Sequence, residues 1–169
     1  IDGQPVGDLF DYQMRQASSQ LLLTVRQAGG GIIEFDIEKD EDEDLGIIFE
    51  KPLLDDVRVC QNHCVFCFID QLPDGLRPSL YVKDDDARLS FLSGNYVTLT
   101  NLDDAALQRI LSQHLSPLYV SVHATSEQLR ERLLGRKGPA IVDQLRALVA
   151  GGITIHTQVV VCPGINDGK

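Results

Sequence analysis

The chain has 169 residues, a formal net charge of −10 and 43% hydrophobic residues. That hydrophobic share supports a packed core and excludes global disorder, and the length suffices for one ordinary domain or a small one with part of a second. The acidic balance repels phosphate backbones and anionic lipid, so nucleic acid and membrane surfaces are disfavoured as partners.

Residues 21–26 are apolar and β-prone, Gly29, Gly30 and Gly31 make a turn, and residues 32–37 alternate apolar with acidic side chains. That is the pattern of a hairpin with one buried and one solvated face. Residues 38–44 form an acidic run, read as a solvated linker. Residues 45–50 offer one more short strand. From residue 57 strands alternate with helices. Residues 57–59 run as a short strand into Cys60, and Asp84, Asp85 and Asp86 suit a helix N-terminus, with substrate contact as the sharper alternative. Residues 96–100 are a short strand, and residues 103–114 a helix with Leu107, Ile110 and Leu111 on one stripe. Residues 118–122 are a strand, followed by a helix that Ser126 caps and Gly135 stops. Ile141, Leu145, Leu148 and Val149 mark the next helix, ended by Gly151 and Gly152, and residues 153–161 are a long strand. Alternating strands and helices predict an α/β fold with a parallel sheet and right-handed crossovers. In such folds the chemistry gathers at the C-terminal ends of strands. Those ends carry Cys60, Asn101, His123 and Cys162. No apolar run reaches the roughly 20 residues of a membrane span, so the chain is expected to be soluble and cytoplasmic.

Cys60, Cys64 and Cys67 fall within eight residues, and Cys162 is remote. This is a poor disulfide framework and a good ligand pattern, expected in a reducing compartment. A compact loop of thiolates suits an iron–sulfur cluster, and three ligands leave one iron of a [4Fe–4S] cluster open. Zinc is the competing metal, but it prefers two separated ligand pairs, and no second pair follows. His63 directly precedes Cys64, a poor arrangement for a fourth ligand. Cys162 reads as a small buried hydrophobe, with an auxiliary ligand or radical relay as the alternative. His123 either meets a cofactor or substrate or packs as a structural histidine.

The Cys-x-x-x-Cys-x-x-Cys spacing directly after a short strand, with Phe66 before the third cysteine, resembles the radical SAM superfamily signature. The words from Phe68 to Pro73, Lys83 to Asp86, Leu89 to Asn101, Val120 to Thr125 and Cys162 to Asp167 resemble one subgroup more closely. It comprises radical SAM proteins with a PDZ-like N-terminal segment, some known as FeS-containing oxidoreductases. The resemblance implies an enzyme with a partial (β/α) barrel over residues 51–169, preceded by a small β-rich, partial PDZ-like segment over residues 1–50. It implies a [4Fe–4S] cluster on Cys60, Cys64 and Cys67 whose open iron is chelated by the amino and carboxylate groups of S-adenosylmethionine. In the superfamily one electron from the reduced cluster cleaves the sulfonium bond, and the resulting 5′-deoxyadenosyl radical abstracts hydrogen from a substrate. Phe66 matches the position that packs against adenine. The usual Gly-Gly-Glu that holds the methionine amino group is missing, and Thr100 and Asn101 stand in its place. His123 completes the expected cofactor-binding set. A flavodoxin or ferredoxin is the implied electron donor, and the PDZ-like segment implies a peptide or protein partner. The superfamily core has six strand–helix units and about four strands are legible, so the chain is expected to be a piece of a longer protein. A peptide-binding scaffold with a structural cluster and a zinc-stabilised domain are the alternative classes.

Overall fold

Gly30 holds φ at +86°, a conformation that suits glycine, and the chain reverses there to pair two strands. In the computed structural model, which describes residues 1–51 and 53–168, β1 (Gln20–Arg26) runs antiparallel to β2 (Ile32–Glu38). Leu21, Leu23 and Val25 lie opposite Ile37, Phe35 and Ile33, which makes one apolar face. Leu21 is buried, but Val25, Ile33 and Phe35 are exposed. The expected two-faced hairpin therefore holds only at the Leu21 end. α1 (Leu9–Arg15) starts at Asp8, whose carboxylate accepts the Asp11 N–H at 2.9 Å. Ile1, Tyr12 and Leu21 form a small core against which Leu45, Ile47 and Phe49 pack. Residues 45–50 were expected to be a strand and are not one. Their alternating side chains do turn inward, with Phe49 edge-on to Tyr12 at 5.0 Å, but the anchor is side-chain packing, not a ladder. Asp44, at the end of the acidic run, accepts hydrogen bonds from Tyr12 and Gln16. These elements belong to the first of two compact units, Ile1–Val57; the second is Arg58–Lys169.

In the second unit α2 (Ala87–Ser93) and α3 (Asp104–Ser112) are followed by β3 (Leu118–Ser121), α4 (Glu127–Leu134), α5 (Ile141–Ala150) and β4 (Ile155–Gln158). Each α2, α3 and α4 N-terminus is capped by a side chain, from Asp86, Asp103 and Ser126 respectively. β3 and β4 pair in parallel, Leu118 opposite Ile155 and Ser121 opposite Gln158. On the other side Val97 bridges Val120, also in parallel. The core comprises fully buried Leu118, Val120, Leu133, Leu134, Ile141 and Leu148, each contributing about 1.5–3 kcal/mol by burial. On α5 the apolar stripe is narrower than the sequence implied, because Val149 faces solvent.

Three strand expectations are corrected. Residues 96–100 pair only through Val97, because Leu99 turns out of the strand at φ +59° and its carbonyl accepts the Gln144 side chain. β4 ends at Gln158, since the Val160 N–H goes to His123 Nδ1 and the Val160 carbonyl to Asn166. Residues 57–59 do not join the parallel set. Val59 bridges Asp84 in antiparallel sense, with Cys60 N–H donating to Lys83 O at 2.7 Å and Asp85 N–H to Arg58 O at 2.9 Å. The architecture is thus mixed α/β, with two-stranded sheets among the described residues. No helix among them is long and apolar enough to cross a membrane.

Candidate cofactor site

The cysteine loop is clamped to the end of α4. His63 N–H donates to Leu134 O at 2.8 Å and Val65 N–H to Leu133 O at 3.0 Å, which occupies carbonyls that a helix C-terminus leaves without internal partners. Gly135 closes α4 in the left-handed region at φ +65°, and an added Cβ there would stand 2.5 Å from the His63 carbonyl oxygen. A tight turn, Cys67 N–H to Cys64 O at 3.0 Å, then brings the third cysteine round. All three thiols are free, half-buried and on the wall of one cleft of about 540 Å³. Phe66, Phe68, Lys83, Asp84, Tyr96 and His123 share that wall.

Burial pushes the Cys60 thiol above its ordinary value. The Cys64 thiol is pushed up to about 11, first by burial and then by the neighbouring Cys60 and Cys67. Without metal the Cys64 thiol is protonated at neutral pH, and a bound metal must displace that proton. Iron uptake is therefore expected to release protons and to run faster at about pH 8.5 than at about pH 6.5. A pH-independent rate, followed by absorbance during anaerobic loading, would contradict this. Lys83 stands over the loop, donating to Asp70 at 2.6 Å and to the Asn62 carbonyl at 2.8 Å. Burial opposes its charge, but the Asp70 hydrogen bond and the electrostatic attraction of Cys67, Asp70 and Cys60 together outweigh that and raise its pKa.

His123 sits at the end of β3 with φ +62°, only 4% exposed. Its ring centroid is 4.6 Å from that of Phe66. Nδ1 accepts the Val160 N–H at 3.2 Å, which places the neutral ring's proton on Nε2. Burial, and then the Arg130 charge, lower its pKa to about 4. A histidine harder to protonate when folded leaves the unfolded state with more bound protons between about pH 6.5 and pH 4, so stability falls as pH drops through that window. His123→Gln is expected to flatten that part of the stability profile in urea titrations. An unchanged slope would contradict a neutral, buried His123.

A buried polar cluster adjoins the cleft, which Thr98 also lines. Asp85 accepts from the Thr98 N–H and, at 2.7 Å, from its hydroxyl. Asn62, fully buried, donates to Thr98 Oγ1 at 2.9 Å and accepts from Thr100 Oγ1 at 3.0 Å. Burial raises the Asp85 pKa against the hydrogen bonds from Thr98 and Thr100. Arg130, 4% exposed, donates to the carbonyls of Val122, Thr98 and Ser121 at 3.1, 2.6 and 3.2 Å. It ties α4 to the C-terminal ends of both neighbouring extended segments.

The fold brings five of the expected site residues together on the cleft: Cys60, Cys64, Cys67, Phe66 and His123. Thr100 and Asn101 are not among its lining residues. Thr100 is buried in the Asp85 cluster, and the Asn101 amide, oriented to satisfy both groups, donates to Asp85 Oδ2 at 3.1 Å. Cys162 is half-buried and off the cleft wall, its N–H donating to Asn166. The acidic triplet divides its labour: Asp84 lines the cleft, Asp85 centres the polar cluster and Asp86 caps α2. Lys83, Asn62 and Arg130 were missed in the sequence. Arg130 carried a signal, since it lies three and four residues before Leu133 and Leu134 on a buried stripe.

Among the described residues no three His, Cys, Asp or Glu side chains are grouped to hold a metal ion. A single ion needs its donors converged on one point, whereas a cubane cluster takes one thiolate per iron. Three thiols on one loop facing an open cleft fit the second arrangement. The family model described as the Radical SAM-like domain matches residues 39–169, and the chain belongs to that family. Comparison with curated proteins and with solved structures returned no match.

Proposed function

We propose that the chain is a radical SAM enzyme in which Cys60, Cys64 and Cys67 hold a [4Fe–4S] cluster and S-adenosylmethionine occupies the adjoining cleft. The reading is carried by the three free thiols of one loop lining a cleft of about 540 Å³ with the Phe66–His123 pair, in a chain of this family. When bound, the cluster supplies the electron that cleaves the sulfonium bond and starts hydrogen abstraction from a substrate. Phe66 and His123 offer the adenine ring an aromatic wall. A neutral His123 adds no positive charge to repel a sulfonium cation. Asp84, which also accepts from Asn95 at 3.1 Å, is the acidic side chain on the cleft wall, and it takes the amino group that the missing Gly-Gly-Glu would hold. Thr100 and Asn101 then act by anchoring Asp85, one step back from the cofactor. Phe68, Leu80 and Val82 add apolar surface to the cleft wall. A flavodoxin or ferredoxin is the proposed electron donor.

The finer assignment, to the radical SAM proteins with a PDZ-like N-terminal segment, is proposed on the sequence words quoted above. Residues 1–50 are the corresponding segment, and an extended peptide is its partner. The test of the enzymatic reading is spectroscopic. Adding S-adenosylmethionine to the reconstituted, reduced protein is expected to alter the cluster's EPR signal, because the cofactor ligates the open iron. A spectrum unchanged at saturating cofactor would contradict it.

A further inference from the structure

Cys60 carries a side-chain hydrogen-bond donor on its sulfur. Asn62 Nδ2 lies 3.3 Å from Cys60 Sγ. The amide has little freedom to turn away. The residue is 0% exposed, its second N–H donates to Thr98 Oγ1 at 2.9 Å, and its oxygen accepts from Thr100 Oγ1 at 3.0 Å. The orientation is set one step further back. Thr98 Oγ1 donates to Asp85 Oδ2 at 2.7 Å, so its lone pairs face Asn62 and demand an N–H there. A flipped amide would put oxygen against oxygen at Thr98 and would turn the amide oxygen, not an N–H, toward Cys60 Sγ. The backbone is held as well, since Lys83 Nζ donates to the Asn62 carbonyl at 2.8 Å. A loop that needed only to present three thiols would not require this buried chain of Asp85, Thr98 and Asn62.

We infer that Asn62 is a positioning residue that tunes the cluster through Cys60: its Nδ2–H, aimed by Asp85 through Thr98, donates to the Cys60 thiolate and raises the cluster's reduction potential. The inference rests on the functional reading above. One-electron reduction adds negative charge that is shared with the cysteine sulfurs, and a fixed N–H donor stabilises the more negative state. The hydrogen bond strengthens on reduction, as charge-assisted bonds do. Asn62 thereby makes the cluster easier to reduce by a low-potential one-electron donor.

The test uses the anaerobically reconstituted chain without S-adenosylmethionine, titrated with dithionite and followed by EPR. Asn62→Ala is expected to retain iron and sulfide while its midpoint potential shifts to a lower value. Because removal of a buried amide can also loosen the loop, a second measurement uses the wild-type protein labelled with side-chain-selective ¹⁵N-asparagine. The reduced cluster should show a weak ¹⁵N coupling from the side-chain nitrogen in pulsed EPR, resolved from the separate coupling of protein labelled only at asparagine backbone nitrogen, because the Asn62 backbone N–H also bonds Cys60. An unchanged potential in an iron-replete Asn62→Ala protein, or no side-chain coupling in the wild type, would overturn the inference and leave the cluster assignment standing. A wild-type chain that assembles no cluster would overturn the functional reading, and this inference with it.

Discussion

Gly135→Ala is expected to empty the cysteine loop of iron and to destabilise the second unit by about 2–4 kcal/mol. Two effects act together at this position. A non-glycine residue at φ +65° costs about 1–2 kcal/mol. The new methyl would also stand 2.5 Å from the His63 carbonyl oxygen and 3.0 Å from the His63 Cβ. Neither atom is the end of a flexible side chain, so the loop itself must move. The bonds from His63 to Leu134 and from Val65 to Leu133 would have to lengthen, and these fix the segment that carries Cys64. Gly164→Ala is the control, because φ there is +74° but nothing lies within 4 Å of an added Cβ. It should lose only the backbone share of stability and keep its metal. Urea denaturation with iron analysis separates the two. Normal iron content in Gly135→Ala would show that the α4 cap does not hold the loop.

The second large effect is expected at Arg130. Replacement by Met keeps much of the volume but removes the Arg130 donors to the Thr98 and Ser121 carbonyls, and to the Val122 carbonyl, which keeps only the Ala124 N–H at 2.7 Å. Buried acceptors left without donors cost about 1–3 kcal/mol each, with the total reduced by relaxation, so a loss of about 3–4 kcal/mol is expected. Arg130→Lys should recover little of it. A single ammonium lacks the planar fork that reaches several carbonyls from different segments. Loss of the Arg130 charge should also let the His123 pKa rise, since that charge helps hold it down. A urea midpoint within error of wild type for Arg130→Met would contradict the structural role.

The site was legible wherever chemistry requires a particular residue type at a fixed spacing. The spacing of Cys60, Cys64 and Cys67 marks a candidate ligand loop, and the fold gathers Phe66 and His123 with them on one cleft. Helix boundaries were legible for a similar reason. Asp103, Ser126 and Gly135 occupy the caps that their side chains, or lack of one, suit. Strand extents were not, because they depend on partners. Residues 45–50 alternate like a strand, yet their backbone finds no ladder. Residues 153–161 read as one long strand, yet a side chain, His123, takes the Val160 N–H and ends the pairing. The antiparallel pairing of residues 58–60 with residues 83–85 is a long-range choice with no local signal. Asn62 and Asp85 are ordinary polar residues in sequence, and only burial beside Cys60 and Thr98 gives them a role.

Quantifying iron and acid-labile sulfide after anaerobic reconstitution tests the central claim most directly. About four of each per chain are expected in the wild type. Cys60→Ala, Cys64→Ala and Cys67→Ala should each lose both, while Cys162→Ala, off the cleft wall, should retain them. Stoichiometric zinc with no labile sulfide, or a cluster that survives loss of any of the three loop cysteines, would contradict the account.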